Sequence, residues 1–210
     1  MAYDLQEQDQ IDAFKLFWSR YGNLILAVVT VVLLAIAGWR GWGWWQQRQT
    51  VEAAIVYEQL REAFDKKDVA KVKTVAGTLT ERYAGTVYAS MASLLAARAH
   101  HDAGDPKTAK ATLQWTIDRA SVPEHRMVAR LRLAGILLDE KAYDDALKVL
   151  AVPDAGAFAG SFADRRGDLL LAQGKRDDAR TAYREALERL DARSALRPLV
   201  QMKLDALGGA

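Results

Sequence analysis

The sequence predicts an all-α protein, a single N-terminal transmembrane helix followed by a right-handed solenoid of helical hairpins. Three observations predict it. Residues 21–39 form an apolar run without a charged side chain. Beyond that run, apolar residues recur every three or four positions, as in Leu131, Leu133, Ala134, Leu137 and Leu138. Valine-rich alternating stretches, the mark of half-buried strands, are absent outside the run.

The first element follows from length and flanks. As a helix, the run is long enough to cross roughly 30 Å of hydrocarbon. Trp39, Trp42, Trp44 and Trp45 crowd its C-terminal end. Indole combines an apolar ring with an N–H that seeks water, which suits the headgroup layer and makes these four residues candidates for interfacial anchoring or partner contact. A cleaved signal peptide would begin with positive charge and end in small residues. Here acidic residues (Asp4, Glu7, Asp9, Asp12) precede the run, and Trp and Arg follow it. Ile11, Phe14, Phe17 and Trp18 share one helical face, an amphipathic lead-in suited to the lipid interface, while Asp4, Glu7 and Asp9 form an acidic tail able to dock a regulator. Boundaries are expected at 1–20, 21–43 and 44–210. Lys15 and Arg20 on one side balance Arg40 and Arg48 on the other, so basic-residue counting leaves the orientation open.

The remainder is long enough for one domain with its own core. Breaks are expected at residues 66–68, Gly85, 104–106, 122–123, 139–141, 153–161, 174–175 and 197–198, giving helices of about 10 to 17 residues joined as antiparallel hairpins. Gly174, Ala179, Tyr183 and Ala186, with Gly167 upstream, fit a tetratricopeptide repeat. Ala134, Tyr143, Ala146 and Leu150 fall in the same order, as do Ala97, Gly104, Ala109 and Leu113. Ala109, Ala146 and Ala179 recur near the roughly 34-residue period of that architecture. Small side chains at these positions let helix backbones approach, and the large residue one turn later fills the adjoining groove. The repeats are degenerate: Lys141 stands where the turn glycine belongs, Arg166 replaces a leucine, and the signature tryptophan is missing. Residues 49–86 are helical but match the repeat poorly, and 194–207 is expected to be a lone capping helix.

Charge and chemistry narrow the function. Lys and Arg total 29 against 27 Asp and Glu, for a net charge of +2, and the two signs are mixed along helical faces, which does not suggest nucleic-acid binding. There are no cysteines, and the three histidines, His100, His101 and His125, have no metal-ligand spacing. No metal, cofactor or catalytic residue is expected. Asp144-Asp145 and Asp177-Asp178 are expected at helix starts, where acidic residues favour the dipole. Glycines 77 and 85 are too isolated to cradle phosphate. Arg166-Gly167-Asp168 falls within a predicted helix, with Gly167 at the packing position. What remains is surface recognition along first helices, with Tyr88, Met91, Arg98, Arg130 and Arg132 as concave-face candidates.

Tyr3, Asp9-Gln10, Ala13, Lys15, Phe17 and Trp18, then Gly38-Trp39-Arg40 closing the span, resemble the start of the YfgM family, the ancillary subunit of the bacterial SecYEG translocon. The likeness continues through Leu113-Gln114-Trp115, the stretch 129–134, Arg166-Gly167-Asp168, Gly174, Ala179-Arg180, Tyr183 and the stretch 201–205. The resemblance implies an inner-membrane protein with a short cytoplasmic N-terminus and a periplasmic repeat domain. It implies partners: the SecYEG translocon, the periplasmic chaperone PpiD and unfolded secretory proteins. Its implied task is to help pass secreted chains from the translocon to periplasmic chaperones. A general membrane-tethered adaptor for envelope complexes is the alternative.

Overall fold

The computed structural model describes residues 2–208, with the side chains of residues 2–9 and 11–13 outside the description. The proposed acidic tail (Asp4, Glu7, Asp9) and Ile11 therefore lie outside the described side chains. Every regular element among the described residues is helical: α1 Ala2–Asp65, α2 Val69–Arg82, α3 Val87–Asp102, α4 Pro106–Arg119, α5 Pro123–Asp139, α6 Tyr143–Leu150, α7 Ala159–Ala172, α8 Arg176–Arg189 and α9 Arg197–Asp205. A short 3-10 turn, Gly156–Phe158, leads into α7. Two compact units divide the chain, Met1–Gln49 and Thr50–Ala210.

In the first unit, Leu24, Leu26, Val28, Val31, Leu33 and Leu34 are all exposed, although they point in different directions around the helix. A helix that is apolar and exposed all round has lipid as its natural solvent. Thr30, the hydroxyl within this stretch, donates back to the Leu26 carbonyl at 2.8 Å, so the apolar segment carries no orphan side-chain donor there.

The second unit is a stack of four hairpins closed by α9. Each hairpin turns at one residue with positive φ: Lys67 (57°), Gly104 (77°), Lys141 (60°) and Gly174 (79°). The turn residue donates three residues back, and the following residue donates five back, as in Gly104 N to His101 O (2.9 Å) and Asp105 N to His100 O (2.8 Å). This is the left-handed helix stop that glycine favours. Lysine holds it in two hairpins because both turn hydrogen bonds and the following helix fix the backbone there.

Residues 50–86 therefore form a hairpin with the same turn as the others, a unit that its sequence conceals. Counting from each turn, the buried residue seven before and the residue nine after are Leu60 and Ala76, Ala97 and Leu113, Ala134 and Leu150, Gly167 and Tyr183. Each of the first three pairs lies within one core cluster. In the fourth, a Cβ on Gly167 would fall 2.5 Å from Tyr183 Cε1, so only glycine fits beneath that ring. As one member of a pair shrinks, the other grows, which keeps the space between the helices filled.

Ala109, Ala146 and Ala179, five residues after their turns, are fully buried, and Val72 occupies the equivalent place in the first hairpin. The helix starts differ in chemistry. Asp68 and Asp105 cap α2 and α4 by accepting from Lys71 N and Thr108 N. At α6 and α8 no side chain caps, and Asp144, Asp145, Asp177 and Asp178 instead lie in the first turn.

Two boundaries differ from the sequence expectation. Residue Arg197 begins α9 rather than breaking it, because Pro198 within the first turn needs no intrahelical partner for its missing N–H. α6 has 8 residues, shorter than expected, since the chain must unwind before Pro153.

Candidate functional site

Helices α3, α5 and α7 are the first helices of three successive hairpins and pack side by side. Between them runs an open groove of about 490 Å³. Its floor is apolar (Ala97, Leu113, Leu131 and Ile136), and its walls carry Arg98, Arg132 and Arg165, one from each helix. His101 and Asp139 complete the rim. A second groove of about 550 Å³ lies between α3 and the first hairpin and shares Arg98.

The three arginines are held differently. Arg132 donates from Nη1 to the Leu94 carbonyl at 3.0 Å, which draws the guanidinium towards α3. Burial, with Arg98's charge adding, pushes the Arg132 pKa below the ordinary guanidinium value. Arg98 pairs with Asp102 at 3.5 Å and lies 5.7 Å from the Phe64 ring. Arg165 is 3.7 Å from Asp168, and its guanidinium passes over Gly135, where a Cβ would meet it at 3.9 Å. Asp168 itself accepts from Lys203 at 2.7 Å and from the Tyr183 hydroxyl at 2.9 Å, so its charge is shared between these groups and Arg165.

Of the sequence candidates for this face, Arg98 and Arg132 thus come together. Arg130 turns to the other side of α5 and donates to the Val149 carbonyl at 2.9 Å, stitching α5 to the end of α6. Tyr88 packs against the first hairpin's core with its ring 5.5 Å from Tyr57, and Met91 is half-buried. Arg165 was missed by sequence reasoning. Its signal is positional: Arg132 and Arg165 each lie nine residues before their turns, a correspondence that emerges once Lys141 is aligned with Gly174.

In the first unit, Trp39, Trp42, Trp44 and Trp45 are exposed, Trp42 and Trp45 have ring centroids 5.4 Å apart, and the Arg48 guanidinium is 5.8 Å from the Trp44 ring. A further polar pair links α3 to α5, where Ser90 Oγ and His125 Nδ1 are 2.7 Å apart. Ser90 is fully buried and also donates to the Val87 carbonyl, so the contact serves packing.

Residues 15–209 match the family model of a tetratricopeptide repeat-like domain. The chain is 34% identical over 211 residues to a protein of Neisseria gonorrhoeae named ancillary SecYEG translocon subunit, an alignment that covers 99% of this chain and 100% of that relative. A protein of the same name from Escherichia coli is 31% identical over 204 residues, with 96% of each chain covered. The likeness to the Haemophilus influenzae protein of that name is 24% over 186 residues, 89% of this chain and 91% of the relative.

Proposed function

From the premise that this chain belongs to the family of ancillary SecYEG translocon subunits, we propose that it is a non-enzymatic scaffold, anchored in the inner membrane beside the SecYEG channel. Residues 1–20 lie in the cytoplasm, 21–43 cross the bilayer and 44–210 stand in the periplasm. There the repeat domain helps pass unfolded secretory proteins to periplasmic chaperones, with PpiD as its partner. A newly exported chain exposes apolar surface that aggregates, and a tethered scaffold raises the local concentration of the chaperone that covers it.

The observation that carries this reading is one chain, aligned end to end with relatives of that name, that joins an all-round apolar helix to a hairpin stack with an open groove across its first helices. In the membrane unit, Trp42, Trp44 and Trp45 are the proposed contacts to the channel, since four tryptophans exceed what anchoring alone needs.

Photocrosslinkers placed at Trp42 and at Asp139, an exposed residue on the groove's rim, test the reading in cells. Channel subunits are expected from Trp42, and exported chains and the isomerase-type chaperone from Asp139. Recovery of a different envelope complex from both positions would overturn it in favour of a general assembly adaptor.

A further inference from the structure

The lining of the groove between α3, α5 and α7 carries more positive than negative charge. Three guanidinium groups line it, and among the described residues Asp139 is the one carboxylate that does so. The neighbouring acids Asp102 and Asp168 offset part of this through long ion pairs. Asp102 and Arg98 are both well exposed, which leaves their 3.5 Å pair weak and exchangeable. Asp168 shares its charge between Lys203 at 2.7 Å and Arg165, whose 3.7 Å pair is the longer of the two. Arg132 has no carboxylate within ion-pair distance among the described residues, and it spends one donor on the Leu94 carbonyl. Like charges lining one groove repel one another, and an anion that enters it relieves the repulsion.

We propose that this groove binds an extended acidic segment of another protein, with Asp or Glu carboxylates on Arg98, Arg132 and Arg165 and small apolar side chains on the floor. The proposal rests on the reading that the groove is a partner-binding face, and it names the partner's chemistry. Three features favour a peptide over a lone anion. The arginines come from three different helices. The floor between them is apolar and so offers a free anion nothing. The guanidinium fork suits bidentate carboxylate contacts repeated along a chain. An extended segment places alternate side chains on one face, so acidic and apolar contacts can be made by neighbouring residues of the same strand.

The test is fluorescence anisotropy on the purified full-length protein in a neutral detergent, with fluorescein-labelled peptides of alternating glutamate and alanine, glutamine and alanine, or lysine and alanine. The glutamate peptide is expected to bind at least tenfold more tightly than the glutamine peptide, with affinity falling as salt rises. Arg98→Gln, Arg132→Gln and Arg165→Gln combined should remove that preference, whereas Arg184→Gln, on the exposed face of α8, should leave it intact. Circular dichroism establishes that the triple variant is folded. If it is not, Arg98→Gln alone serves, because that side chain is exposed. Equal affinity for the glutamate and glutamine peptides, or a preference that survives the triple variant, overturns the proposal. The Asp139 crosslinks distinguish the two readings. Partners captured without any glutamate preference remove the acidic ligand and keep the docking face, while a glutamate preference without captured partners does the reverse.

Discussion

His100 lies near the end of α3 with 5% of its surface exposed. Burial is the main reason that its pKa sits below the ordinary imidazole value, with Lys73's charge adding and Asp105 opposing. The unfolded chain takes up the proton near pH 6.5, while the native state refuses it until the pH is lower. Stability from this residue is therefore complete above that value and is lost as pH falls through the interval between the unfolded and native pKa. His100→Gln should flatten this dependence. Urea melts at about pH 7.5 and about pH 5 check it, the expected outcome being a smaller difference between the two pH values in the variant than in the parent.

At the scale of the element, the hairpin turn decides what could be read in advance. Lys67 and Lys141 sit at positive φ, where a side chain costs roughly 1–2 kcal/mol, partly offset by the smaller entropy that lysine loses relative to glycine. Lys141→Gly and Lys67→Gly are each expected to stabilise the repeat unit by about 0.5–1 kcal/mol, measured as a rise in Tm. The helices, most of their breaks and three hairpins were legible, because apolar periodicity and glycine at turns are local signals. The first hairpin was not. Its turn residue is lysine, its small position holds Val72, and Leu60 and Ala76 reverse the usual order of sizes. Only the shared space between two helices makes those substitutions equivalent. The groove was half legible for a similar reason. Helical spacing offered Arg98, Arg130 and Arg132 alike, but which side of α5 each guanidinium takes depends on carbonyls far away in sequence, those of Leu94 and Val149.

At the scale of the whole repeat unit, α9 closes the stack through a polar clasp. Lys203 donates to Asp164 and to Asp168, each at 2.7 Å, and its ammonium lies 5.5 Å from the Tyr183 ring. Burial pushes Asp164 above the usual carboxylate range, against the pull of the Lys203 hydrogen bond. Arg180 adds a bond to the Leu207 carbonyl at 2.8 Å. Removing the lysine leaves two shielded carboxylates facing each other. Lys203→Met is expected to cost on the order of 3 kcal/mol, with hydrogen-exchange protection lost first in α8 and α9, since each repeat feels only its neighbours. Protection lost evenly across all four hairpins would show instead that the stack melts as one body.

The paired residues between hairpin helices, Leu60 with Ala76 through to Gly167 with Tyr183, bear on how the chain finds its order. Similar repeats in one polypeptide invite a helix to dock on the wrong mate while folding. Here the mismatches that involve the first and last hairpins identify themselves: Leu60 against Tyr183 would collide, and Gly167 against Ala76 would leave a hole. The first and last hairpins thus carry an address written in volume, whereas the middle two, each pairing an alanine with a leucine, share one and must be told apart by other contacts.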